Sequence, residues 1–275
     1  MIRLVKDRLC EDIKMIAVTY SMGDAITDIM PIADVSNRGV RSIEGAGEKT
    51  GGGARVFDAV KSSGIPAVVI PGIHAGCDID ERFRIFSHGA SPEKVGIAYH
   101  AHNKGSSDFV VSDISSNTVT LAVGGGRIIG AIDACIFAPG AHHGPIDLEA
   151  IRRIDAGQCT ANQAFMNAGA LKRTRFKSIE ELLSNNDRES ELALGTIALF
   201  AAMEIESMQV LLREHGNEGD VYTAGSIGEV VAGRIGRLIR RDVRSLGTWS
   251  AAVGCAEIAR DVYGGANHIL GIRVA

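Results

Sequence analysis

The sequence predicts an α/β protein in two lobes, and two patterns carry that expectation. Up to residue 107, buried apolar runs alternate with amphipathic helical stretches, the pattern of a layer with parallel strands. From residue 108, three strand-like runs follow in quick succession, and then helices alternate with single strands. The expected division is an N-terminal lobe over 1–107 and a C-terminal lobe over 108–275.

In the first lobe, residues 3–13 have helical amphipathic spacing. MIAVTYS (15–21) reads as a buried strand ending in the polar turn Ser21-Met22-Gly23-Asp24. Residues 30–54 have little periodicity and contain NRGVRSIEGAGEKTGGG, a long glycine-rich loop of the kind that is functional or mobile. ARVFDAVKSSG (54–64) is a helix with a glycine stop, IPAVVIPG (65–72) a second buried strand, and PEKVGIAYHAHNKG (92–105) a helix with proline in its first turn. Two strands make a poor sheet, so this lobe is expected to be short of partners and to leave an edge unprotected.

In the second lobe, FVVSD (109–113), TVTLAV (118–123) and RIIGAIDACIF (127–137) form a meander, turned at Gly124-Gly125-Gly126. Helices are expected at 147–156, 160–169 and, long and largely buried, at 189–214. GDVYTAGS (219–226) is a strand, IGEVVAGRIGRLI (227–239) a helix, and a short extended piece lies near 243–247. WSAAVGCAEIARDVYG (249–264) is a helix and NHILGIRVA (267–275) a last strand.

Composition narrows the function. The 275 residues are 45% hydrophobic and 23% charged, typical of a globular protein. A net charge of -4 argues against nucleic acid or an anionic membrane as the main partner. No uninterrupted apolar run has the length of a membrane span, and the mixed start Met1-Ile-Arg-Leu-Val-Lys is no signal peptide. The five cysteines are scattered without a close pair, which fits a reducing cytoplasm rather than a disulfide or zinc framework.

The stretch DISSNTVTLAVGGGRIIGAIDA carries the most chemistry. Asp113 ends a buried strand, and Ser115, Ser116, Asn117 and Thr118 put short donors on one tight turn. Such a turn suits a phosphate, with the acid holding a water or a magnesium ion; equally, it can satisfy itself through Asx and Ser/Thr turns. TAGSIGE (223–229) follows a strand and opens a helix, and WSAAVGCAEIA (249–259) is a helix with small residues on one face. A meander with a phosphate loop followed by a small-residue turn resembles, in layout, one lobe of the superfamily of actin, sugar kinases, acetate kinase and heat-shock chaperone ATPases, which is ribonuclease H-like in fold.

TYSMGDAIT (19–27), NRGVRSIEGAGEKTGGGARVFD (37–58), IPAVVIPGIH (65–74), SDISSNTVTL (112–121) and APGAHHGPIDLEAIRRIDAG (138–157) resemble methanogenesis marker protein 12, a family of methane-producing archaea related to the actin-like ATPases, with no established reaction. The resemblance covers nearly the whole chain. It implies a cytoplasmic archaeal protein of two-lobed actin-like fold that binds ATP. Members of that family start upstream with a strand hairpin bearing an Asp-Gly-Thr-Thr-like loop; this chain starts at the helix after it, so the first lobe is expected to lack that hairpin.

The site assignments follow. A nucleotide between the lobes would meet Asp113, Ser115, Ser116, Asn117 and Thr118 at its phosphates and Mg2+, and Gly225, Ser226 and Gly228 near its adenosine. Asp24 is a candidate base, and Glu44, His74, His142 and His143 face the substrate. The function expected is an ATP-dependent phosphotransferase acting on a small molecule, in a homodimer; the alternative is a non-catalytic binding or assembly protein that keeps the fold. Gly45–Gly51 is no Walker loop, because Glu48 stands where that loop needs glycine before its lysine. His100 and His102, at i and i+2 of a helix, point apart. Arg152, Arg153, Arg237, Arg240 and Arg241 read as solvated charge, and the Met203/Met208 region as core.

Overall fold

The computed structural model describes residues 12–19, 26–35 and 52–275. The helix expected at 3–13, apart from its last two residues, lies outside the described residues, as do Asp24, Glu44, the Gly45–Gly51 run and Cys10. Two compact units result: Met1–Lys104 with Gly126–Ile129 and Ala251–Ala275, and Gly105–Gly125 with Gly130–Ser250. Residues 251–275, which sequence order groups with the later strands, thus cluster with the first unit.

The sheet of the first unit has strand β1 (Ile16–Thr19), strand β2 (Met30–Pro31) and strand β3 (Ala67–Ile70) in the order β1-β3-β2. β1 runs parallel to β3, as the alternation of strand and helix requires, and β2 runs antiparallel. Helix α1 (Gly52–Lys61) joins this layer, Phe57 and Val60 packing with Val18, Ile32, Val35 and Val69 in one apolar cluster. Strand β4 (Ile73–His74) pairs with strand β5 (His88–Ala90). Helix α2 (Pro92–His102) opens on proline, whose missing N–H costs nothing in a first turn.

Helix α2 crosses the C-terminal helix Ser250–Tyr263 at two glycines. A Cβ on Gly254 would lie 1.8 Å from the Gly96 carbonyl oxygen, and one on Gly96 would lie 2.9 Å from the Ala251 carbonyl oxygen. The backbones therefore touch, and polar pairs flank the crossing: the Tyr99 hydroxyl donates to Asp261 at 2.8 Å, and His100 Nδ1 lies 3.1 Å from Glu257. Gly254→Ala is expected to force the helices apart and cost about 2 kcal/mol, read as a lowered thermal midpoint. An unchanged midpoint would show that the crossing yields freely.

The last strand expected over 267–275 is instead a hairpin. His268–Ile269 pairs antiparallel with Ile272–Arg273. Leu270 (φ 49°) and Gly271 (φ 84°) both take left-handed backbone, as the two central residues of a tight hairpin turn do. The apolar run hid a turn because only its glycine advertised one.

The second unit is built on a sheet with strands in the order β10-β9-β6-β7-β8, of which β8 belongs to the unit only from Gly130 on. These are strand β6 (Phe109–Ile114), strand β7 (Thr118–Gly124), strand β8 (Arg127–Ile132), strand β9 (Asp220–Ala224) and strand β10 (Arg244–Ser245). The central strand β6 is antiparallel to β7 and parallel to β9, and all six of its residues are buried. Between β8 and β9 come helix α3 (Leu148–Asp155), helix α4 (Ala161–Met166), helix α5 (Ile179–Ser184) and helix α6 (Arg188–Glu214). Each starts on a side-chain cap: Asp147, Thr160 in a capping box with Gln163, Ser178 and Asp187. Helix α7 (Gly225–Ile239) follows β9.

Helix α6 is long and apolar enough to cross a membrane by length and composition. Here it lies on β6 and β7 and against α7. Ile197, Ala201, Ile205, Met208 and Leu212 recur at helical spacing and are wholly buried. Met208 is core, as expected; Met203, on another face, is exposed.

Candidate functional site

The parallel register of β6 and β9 sets Asp113 opposite Ala224. The strand ends therefore finish side by side, and the stretch that begins at Asp113 meets the turn Ala224-Gly225-Ser226. Gly225 opens α7 with φ 86°. A Cβ there would lie 2.3 Å from Asp113 Oδ1 and 2.5 Å from the Ile114 carbonyl oxygen, so only glycine fits. Ala224, at the cap position, brings no side-chain hydrogen bond to the first turn of this 15-residue helix. That turn is a positive dipole end with N–H groups left for a ligand.

The β6–β7 turn is tied from both sides. The Ser115 N–H donates to the Asn117 carbonyl at 2.8 Å. The loop 138–144 lies against it: Ala141 N–H donates to the Ser115 carbonyl at 2.9 Å, and the His142 and His143 N–H groups donate to the Ser116 carbonyl at 3.0 and 2.8 Å. A Cβ on Gly140 would sit 2.4 Å from Asn117 Cα, which explains the glycine in this loop. The structure thus brings Ser115, Ser116, Asn117, His142 and His143 together. The side chains of Ser115, Ser116 and Asn117 are half-buried and make no hydrogen bond among the described residues, which leaves them for a ligand.

Three of the expected residues are placed differently. The Thr118 hydroxyl is wholly buried and donates to the Pro139 carbonyl at 3.1 Å, so it fastens the loop rather than contacting a ligand. Gly228 is buried, and a Cβ on it would meet Thr223 at 3.4 Å, so it faces the sheet. His74 is buried in the first unit with both ring nitrogens engaged, Nδ1 taking the Gly76 N–H at 3.1 Å and Nε2 lying 3.0 Å from the Ile26 carbonyl oxygen. It ties its own loop to the backbone at Ile26 instead of facing a substrate. Ser226 is half-buried, beside Gly225.

His143 stacks on Phe165 with ring centroids 5.0 Å apart. Burial pushes its imidazole below the usual histidine value, and His142 beside it adds to the effect. The ring is therefore neutral at pH 7, free to accept a proton or a hydrogen bond.

Glu204 is a residue that sequence reasoning missed. It is fully buried on α6, with one carboxyl oxygen accepting the Ala138 N–H at 3.0 Å and the other without a hydrogen-bond partner among the described residues. Burial pushes its carboxyl well above the usual value, more than Thr120 and the Ala138 N–H offset. Glu204 is thus a buried acid, its carboxyl raised by burial, that holds the start of the loop carrying His142 and His143.

No family model matches the chain. A UPF0285 protein of the methanogen Methanosarcina mazei is 61% identical over 269 residues, covering 96% of this chain and 83% of that protein. The chain belongs to the UPF0285 family. Among solved structures, the UPF0285 chain is similar to a propionate kinase from Francisella tularensis (TM-score 0.66, 15% identity, 94% of this chain and 82% of that one). It is also similar to an acetate kinase from Entamoeba histolytica (TM-score 0.61, 11% identity, 87% and 70%). At these identities the likeness is one of fold, and it is the actin-like ATPase fold that the layout of strands predicts.

Proposed function

We propose that this UPF0285 protein binds an adenine nucleotide with Mg2+ where β6 and β9 end, and transfers phosphate from it to a small-molecule acceptor. The observation that carries this reading is the contact between Asp113 and Gly225. It joins an acid at a strand end, an uncapped helix N-terminus and three unengaged polar side chains in one place. In that arrangement Asp113 holds the metal or its water, while the N–H groups of α7 and the side chains of Ser115, Ser116 and Asn117 take phosphate oxygens. Ser226, beside Gly225, lies toward the nucleoside. Phosphoryl transfer needs position and neutralised charge more than covalent help, and His142 and His143, on the adjoining loop, lie close enough to serve an acceptor. The kinase names of the fold neighbours support a phosphotransferase. The methanogen relative supports equating UPF0285 with the methanogenesis marker protein 12 family, for which a cytoplasmic homodimer is expected.

Millimolar Mg-ADP is expected to raise the melting temperature, since a ligand of the native state alone stabilises by mass action, about 2.7 kcal/mol at a hundredfold excess over Kd. Asp113→Asn, close in shape, should melt near the wild type without ligand and lose the shift. No shift in the wild type would overturn the nucleotide site. A shift without ATP turnover would leave the non-catalytic binding or assembly reading in its place.

A further inference from the structure

The second unit contains a polar cavity of about 660 Å3 walled by α3, α4 and the 3-10 turn Ala170–Arg173. That is the size of a small-molecule site. Its charges do not cancel. Lys172 Nζ stands 3.5 Å from Asp147 Oδ2, and Asp147 also accepts the Ala150 N–H at 2.9 Å. Glu149 stands 3.7 Å from Arg152. Both carboxylates of the wall are thereby engaged. Arg153 and Arg173 remain, and neither guanidinium has an ion-pair partner among the described residues. Arg175, Arg234 and Arg244 in the same unit each meet a carboxylate; Arg153 and Arg173, unpaired among the described residues, line one hollow.

We infer that this cavity binds a small molecule carrying a carboxylate or a phosphate, gripped by Arg153 and Arg173. A guanidinium offers a planar pair of donors that matches either group, and two of them line this one hollow. The amides at hand suit a polar body behind the anionic head. Gln163 spends its side-chain oxygen on the Thr160 N–H and keeps its amino group; Asn167 spends its amino group on the Gln163 backbone carbonyl and keeps its side-chain oxygen. The frame is stiff. The Gly169, Ala170 and Leu171 N–H groups donate to the carbonyls of His142, Gly140 and Ala141 at 2.7, 2.9 and 3.0 Å. The anion is therefore held beside the His142–His143 loop. The inference stands on the cavity alone and does not rest on the nucleotide reading.

Cys159 lines the same cavity and supplies a probe that needs no knowledge of the natural ligand. Iodoacetate and iodoacetamide alkylate a thiolate in the same way, but only the first carries a carboxylate. Peptide mass spectrometry of the full chain gives the ratio of the two rates at Cys159, relative to the neutral thiol N-acetylcysteinamide in the same tube. At low salt the ratio is expected to favour iodoacetate by about fivefold over that reference, the scale of a screened guanidinium–carboxylate contact. Arg153→Gln with Arg173→Gln should bring it to the reference value. Arg153→Lys with Arg173→Lys should keep most of it, and both pairs should melt like the wild type. Millimolar phosphate or succinate should slow the wild-type reaction, and the stronger competitor names the head group. The site is overturned by an absence of preference in the wild type, by a preference that survives the glutamine pair, or by a failure of both anions to compete.

Discussion

Gly225→Ala is expected to lower stability by about 3 kcal/mol, the sum of left-handed strain on a residue with a Cβ and overpacking against a wall that cannot move. The wall is the carboxylate of Asp113 and the carbonyl of Ile114, at 2.3 and 2.5 Å from the added carbon, and the backbone at φ 86° offers no strain-free alternative. In calorimetry this is a drop of roughly 10 °C for a unit of this size. The same substitution displaces Asp113, so the Mg-ADP shift should vanish even where the variant is folded. Gly228→Ala is the control, three residues on. Its Cβ would meet Thr223 at an ordinary 3.4 Å within the helix, where alanine is preferred to glycine by about 1 kcal/mol, so it should be neutral or stabilising. If Gly225→Ala melts and binds like the wild type, the close approach of the two strand ends has no part in the site.

Glu204 carries the second large effect, and it is a dependence on pH. Its carboxyl is raised well above 4.5 in the folded protein, chiefly by burial, while the unfolded chain has an ordinary carboxyl. As pH rises through the unfolded value, the unfolded state releases a proton that the native state keeps. Stability present below that value then falls by about 1.4 kcal/mol per pH unit until the raised native value is reached. Glu204→Gln has no proton to lose. Its melting temperature should follow the wild type near pH 4.5 and exceed it increasingly as the pH rises above that. Parallel curves for the two proteins would show that Glu204 is not a buried neutral acid. Glu204→Ala is a different matter: it leaves a cavity and a buried Ala138 N–H without an acceptor, so it should cost about 3 kcal/mol near the unfolded carboxyl value, a cost that shrinks as pH rises because alanine has no proton to lose either.

Most of the secondary structure was legible because it depends on near neighbours in the chain. The 3.6-residue spacing of Ile197, Ala201 and Ile205, the alternation of strand and helix, and proline at the start of α2 all act within a few residues. Strands as short as Met30–Pro31, Ile73–His74 and His88–Ala90 escaped notice, since two or three residues cannot display a period. The small helix α5 escaped in the same way. The phosphate turn was legible in its residue types, but not in which of them stay available. Ser116 and Thr118 read alike on paper, and only the position of the Pro139 carbonyl makes one a ligand candidate and the other a fastener.

By itself the sequence determined the order of elements, the parallel run of β1 and β3, the meander, the long core helix, and the resemblance that the UPF0285 relative and the kinase folds bear out in part. Those properties follow from covalent geometry, turn chemistry and periodic burial, which every short window of the chain contains. Only the tertiary structure decided that Asp113 meets Gly225, that Gly96 meets Gly254, that burial raises the Glu204 carboxyl, that His74 is a brace, and that Arg153 and Arg173 have no partner among the described residues. Each of these depends on groups far apart in sequence. Whether a polar group is satisfied, and what charge it bears, is set by the neighbours it acquires when the chain closes on itself.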